Sequence, residues 1–130
     1  MQLIQSLSAP AGRILISLIF VTSGFNKLVN FAGTSAYMES AGVPGMLLPL
    51  VIAVELLGGL AVILGWHTRV AAFLLAGFSL LSAALFHANF GDQMQMIMFM
   101  KNVAIAGGFL MIVAHGAGAF SLDNRAKSRS

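Results

Sequence analysis

At 130 residues the chain is 58% hydrophobic and 8% charged, with a mean hydropathy of +0.92, against about 25% charged in an ordinary soluble domain. Too few polar side chains remain to wet a globular surface, which excludes a soluble fold and a second folded unit. The absence of cysteine removes disulfides, thiol redox chemistry, thiolate metal sites and iron–sulfur clusters, and a net charge of +3 gathered largely in Arg125, Lys127 and Arg129 offers no broad patch for nucleic acid.

Taken in order, four apolar segments are expected at about residues 11–27, 46–65, 70–86 and 94–114. Each is near the ~20 residues a helix needs to cross ~30 Å of hydrocarbon. None shows the alternation of a membrane strand, so helices are the expected way to satisfy the backbone in lipid. No positive residue precedes Arg13 and no small-x-small cleavage site follows, so the first segment is expected to stay attached rather than act as a signal peptide. Between the first two spans, residues 34–41 read as a short interfacial helix. Gly42 suits its left-handed terminus, Val43 the hydrophobic follower and Pro44 the stop. Phe31, Tyr37 and Met38 are expected at headgroup depth. His67-Thr-Arg69 makes a tight turn, residues 87–93 another, and 119–130 a basic tail. The fold class is therefore an all-α membrane protein, a four-transmembrane-helix bundle with one interfacial helix.

With four spans both termini share a side. Arg13, Arg69, Arg125, Lys127 and Arg129 fall there against Lys27 opposite, so the positive-inside rule places both termini in the cytoplasm of an inner-membrane protein.

One carboxylate, Glu55, falls near the middle of the second span. A charge at that depth costs about 2.5–3.5 kcal/mol on insertion scales, so a base from another helix is expected beside it. Lys101 lies about 5 Å outward of the centre of the fourth span at 1.5 Å per residue, and Glu55–Lys101 is the preferred pair, with Asn102 alongside. Arg13 is expected to snorkel or to reach Glu55, and Lys27 to sit at the outer interface. A polar pocket opening outward is expected from Asn26, Lys27, Glu55, His87, Lys101 and Asn102. Gly58, Gly59, Gly107 and Gly108 are read as close-approach positions between helices, and Arg13 and Arg69 as structural cations. The bland reading of the ion pair is helix register alone. His67 and His115 read as solvated groups, His87 as an interface residue on the bland reading, and the alternating methionines 94–100 as packing or lipid contacts; no metal site is expected.

The order of several pieces resembles the DoxX family of small four-helix membrane proteins. They are Arg13 followed by Ser23-Gly-Phe-Asn-Lys27; Phe31-Ala-Gly-Thr34; Tyr37-Met38 with Gly42-Val-Pro44; Glu55 before Gly58-Gly59; Gly65-Trp-His-Thr-Arg69; His87; Lys101-Asn102 before Ala106-Gly-Gly-Phe109; and Gly118-Ala-Phe-Ser-Leu-Asp123. Gly116-Ala-Gly118 stands where a Gly-Pro-Gly is expected in such proteins. The resemblance implies a link to membrane subunits of quinone oxidoreductases and to redox partners. On it rests the expectation of a quinone-linked subunit, with Glu55 and Lys101 as catalytic residues and Asn26, Lys27, His87 and Asn102 as quinone contacts. A redox partner protein or a homo-oligomer is expected with it. A non-catalytic membrane scaffold and a small-solute or proton carrier are the alternatives; four unbroken helices without inverted repeats are a thin basis for the carrier.

Overall fold

The computed structural model describes residues 2–87, 91–118 and 120–129. Among them the elements are all helical: α1 Gln2–Val29, α2 Phe31–Ser40, a 3₁₀ turn Gly45–Leu47, α3 Leu48–Leu64, α4 Thr68–Phe86, α5 Gln93–His115 and α6 Leu122–Arg129. Four helices are long and apolar enough to cross a membrane. They agree with the expected spans except that α1 starts at Gln2 rather than near residue 11. Polar Gln5, Ser6 and Ser8 lower the hydropathy there but do not interrupt helical hydrogen bonding, and Ser8 Oγ folds back on the Ile4 carbonyl at 2.6 Å.

The packing order is α1 on α3, α3 on α4 and α4 on α5, with little contact between α1 and α5. The main core gathers Phe20, Val62, Leu75, Ala76, Ala106 and Phe109. Phe20 meets Phe109 and Phe78 edge-on at 5.5 and 6.3 Å between centroids, the geometry that the ring quadrupoles favour. Large side chains such as Leu15, Leu57, Phe73 and Met111 point outward and are exposed, as lipid-facing positions should be. Small residues set the spacing where helices cross. A Cβ on Gly59 would meet Val21 at 2.9 Å, one on Gly58 would meet Leu75 at 3.2 Å, and one on Gly108 would meet Ile16 at 2.6 Å. Gly107 departs from expectation: a Cβ there would meet no other part of the bundle within 4 Å. It is one residue, about 100° around the helix, from Gly108, so the two cannot face the same neighbour.

The interfacial helix runs slightly earlier than predicted, and its end is as the sequence implies. Gly42 takes φ +85, the Val43 amide donates to the Met38 carbonyl at 2.9 Å, and the Gly42 amide donates to the Glu39 carbonyl at 3.0 Å, the two bonds of a Schellman motif. Val43 then packs on the buried cluster of Met38, Leu48 and Ile52. Phe31 and Tyr37 are exposed, whereas Met38 is buried because the helix lays that face on α3. Asp92 caps α5, accepting from the Met94 amide at 2.9 Å. The expected turn at 87–93 is described at His87 and 91–93; residues 88–90 lie outside the described set.

Candidate functional site

Helix direction decides where each charged side chain goes. In an α-helix the Cα–Cβ bonds tilt toward the N-terminus. Lys27 sits in the last turn of α1, so its stem runs back along α1 into the bundle instead of out to the interface. Its ammonium donates to Ser23 Oγ at 3.1 Å, four residues earlier, and forms the ion pair with Glu55. α3 is antiparallel to α1, so Glu55 leans the opposite way, toward the end where Lys27 sits, and the two meet. Glu55 is 1% exposed and the Lys27 side chain 28%.

The expected Glu55–Lys101 pair is therefore corrected to Glu55–Lys27. α5 descends from the same end as α3, so Lys101 leans back toward its own N-terminus, away from the carboxylate. Its Nζ donates to the Met98 thioether at 3.7 Å, a weak acceptor for a full charge. Lys101 nevertheless opens on the same space as the pair. A cavity of about 200 Å³ is lined by Ser23, Lys27, Glu55, His87, Lys101 and Asn102, with Phe20, Phe78 and Ser79 among its other walls. Five of the six predicted pocket residues thus converge. Asn26 does not: it faces an open groove of about 550 Å³ with Thr22, Asn30 and Thr34, because it is about 100° around α1 from Lys27.

His87 ends α4. Its amide donates to the Ala83 carbonyl at 3.0 Å, and ring Nδ1 is 3.0 Å from Gln95 Oε1, which ties α4 to α5 at the cavity mouth. Behind it runs a second, mainly apolar groove of about 320 Å³ between α2, α3 and α4. Its walls include Tyr37, Met38, Val54 and Leu85, and Lys27, Phe78, Ser82 and His87 line both spaces. Tyr37 stacks on Phe86 at 5.7 Å across that groove.

The remaining charges of the bundle serve its other end. Arg13, 2% exposed, does not reach Glu55. Its Nη1 donates to the carbonyls of Val62 and Ile63 at 3.0 and 2.8 Å, and Nη2 donates to the carbonyl of Phe120. Two of these acceptors belong to the last turn of α3, where carbonyls lack the i+4 amide of the helix interior and the dipole favours a cation; the Val62 carbonyl also accepts from the Gly65 amide at 3.1 Å. The Arg13 Nε and Ser17 Oγ, one turn apart, are buried without partners among the described residues.

The α3–α4 turn has Gly65 at φ +72 and His67 at φ +46, and His67 supplies no side-chain cap to α4. Asp123, missed as a functional residue by the sequence reading, caps that helix from 55 residues away. Its Oδ1 accepts from the His67 amide at 2.8 Å and its Oδ2 from the Thr68 amide and hydroxyl at 2.9 and 2.6 Å. Burial pushes the Asp123 carboxyl up, but the Thr68 and His67 hydrogen bonds and the His67 charge outweigh it and hold the group below its ordinary 3.8. The signal in the sequence was a helix start lacking its own Ser, Thr, Asp or Asn cap, in a chain with four acids.

Arg69 is exposed, and its guanidinium lies close to Gly116, with no ion pair among the described residues. No group of three or more His, Asp or Glu side chains able to hold a metal ion occurs among the described residues.

Comparison with known proteins gives close relatives over nearly the whole length. The chain is 47% identical over 123 residues to the inner membrane protein YqjF of Escherichia coli (strain K12), covering 95% of each chain. It is 42% identical over 120 residues to the inner membrane protein YphA of the same organism, covering 87% of this chain and 86% of that one. A more distant match, 33% identical over 64 residues and about half of each chain, is the Bacillus subtilis (strain 168) protein named "Putative oxidoreductase CatD". No solved structure matches significantly. The family description DoxX matches residues 9–88, more than half of the chain, and this multi-pass membrane protein belongs to the DoxX family.

Proposed function

We propose that this protein binds a quinone from the bilayer and works beside a partner oxidoreductase in the inner membrane, both termini lying in the cytoplasm. The observation that carries the reading is a charged cavity continuous in its walls with an apolar groove, the shape that a polar ring on an isoprenoid chain requires. The inner-membrane location draws on the two Escherichia coli relatives, the redox association on the name of the Bacillus relative. The orientation rests on the clustering of basic residues on the termini side.

The donor set fits such a ligand. Lys101 faces the cavity with a thioether as its acceptor, so a carbonyl oxygen there would accept a charge-assisted hydrogen bond. Asn102 adds an amide donor and His87 a ring nitrogen at the mouth. When bound, a quinone supplies two-electron, two-proton chemistry at its ring oxygens. The role of this chain is then to hold and move protons, with Glu55, beside the Lys27 ammonium, as the carboxyl that relays them. The chain has no cysteine, so the electrons are assigned to the partner.

The test is titration of the purified protein with a short-chain ubiquinone analogue. Saturable binding to the wild type is expected, weakened about tenfold or more by Lys101→Met, the effect of losing a hydrogen bond to a charged group. Absence of saturable wild-type binding overturns the reading.

A further inference from the structure

The termini side of the bundle carries a second cleft, unconnected with the quinone reading. It has a volume of about 430 Å³ and lies between the α3–α4 turn and the end of α5, with His67, Arg69, His115, Ser121 and Asp123 in its walls. Its charges are not equivalent. Asp123 spends both oxygens on the start of α4, with three donors already directed at them. Arg69, in contrast, is exposed and makes no side-chain hydrogen bond or ion pair among the described residues. Its guanidinium is nonetheless positioned: a Cβ on Gly116 would stand 3.3 Å from both Nε and Nη2, so the planar group rests against backbone that only glycine leaves clear. His67 and His115 are exposed and add two imidazoles to the same walls.

Depth narrows the partner. α4 starts at Thr68 and α5 ends at His115, so the cleft sits where two spans leave the hydrocarbon. Trp66 and Val70, 55% and 63% exposed, flank it, an aromatic and an aliphatic side chain suited to the lipid–water boundary. A guanidinium held without a carboxylate at this level matches the planar, two-point recognition of phosphate oxygens, and basic pockets between spans are where anionic headgroups are recognised.

We propose that this cleft is a binding site for an anionic phosphate group, held by Arg69 with His67 and His115 around it. The same chemistry is offered by the headgroup of an anionic phospholipid and by free phosphate, and the depth of the cleft favours the headgroup. A phosphatidylcholine headgroup is disfavoured because its own cation would face Arg69.

The full chain, purified in a neutral detergent, is to be titrated separately with phosphatidylglycerol, phosphatidylcholine and inorganic phosphate, with bound species counted by native mass spectrometry. Wild type should retain phosphatidylglycerol over phosphatidylcholine. Arg69→Gln should reduce that preference about fivefold, the effect of one basic residue at an anionic surface, while Arg69→Lys should keep most of it and His115→Gln lose less. Displacement of phosphatidylglycerol by millimolar inorganic phosphate would assign the site to free phosphate; persistence of the lipid would assign it to the headgroup. The proposal is overturned if wild type retains the two lipids equally and binds no phosphate, a readout that needs no variant to fold. It is equally overturned if Arg69→Gln, melting like wild type, keeps the full preference.

Discussion

The two ends of the bundle treat buried charge in opposite ways. On the termini side, Arg13 and Asp123 are directed at backbone: the guanidinium takes the last carbonyls of α3 and the carbonyl of Phe120, and the carboxylate takes the first amides of α4. Each charge there complements a helix terminus whose dipole has the opposite sign, and together they staple the segment after α5 to the α3–α4 turn. At the far side, Lys27, Glu55 and Lys101 surround a space. One cation neutralises the acid, and the second has a thioether for a partner. A charge committed to a helix end is structural; a charge facing a cavity with a poor acceptor is available to a ligand.

Substitutions can break that contrast, and the largest effect is expected where an acid loses its cation. Lys27→Met leaves Glu55 buried and unpaired, which should cost about 3–5 kcal/mol in detergent melting; adding Glu55→Gln should recover most of it. A Lys27→Met protein as stable as wild type would mean that the pair carries no stability. Next comes Arg13→Gln, which removes the guanidinium donor from the Ile63 and Phe120 carbonyls and should cost about 2–3 kcal/mol without altering quinone titration.

Asp123→Ala should cost about 1–2 kcal/mol through the lost cap. Because the folded carboxyl titrates below its ordinary 3.8, its contribution is complete above that pH and declines as pH falls through the lower folded value. Melting of wild type should therefore drop on acidification below about pH 3.8, and Asp123→Ala should lack that component. The smallest stability change is expected for Lys101→Met, under about 0.5 kcal/mol, although the same substitution should weaken the quinone analogue most. A large loss of stability there would place Lys101 with the structural charges and remove the distinction between the two ends.

Much of the fold was legible because hydropathy and chain stops act locally. The four spans follow from runs of apolar residues, and the Gly42-Val-Pro44 terminus from backbone stereochemistry at one glycine. The candidate site was legible as a set and less so as a geometry. Glu55, Lys27, His87, Lys101 and Asn102, with Asn26 the one misplaced member, were assembled from depth and helical spacing, because sequence position supplies both. Depth could not say which lysine reaches the acid. That depends on side-chain direction in antiparallel helices, which sends Lys27 down and Lys101 up.

Asp123 was hidden for a related reason: its partners are backbone amides at residues 67 and 68, and nothing in a side-chain pattern marks an amide lacking a local cap except the missing capping residue itself. The sequence by itself determined the solvent, the number of spans, and the need for a base near Glu55, since each is a free-energy requirement of burying a given residue type in hydrocarbon. Tertiary structure decided which base it is, which charges close helix ends and which face a cavity, because those outcomes depend on how helices far apart in the chain are rotated and stacked against one another.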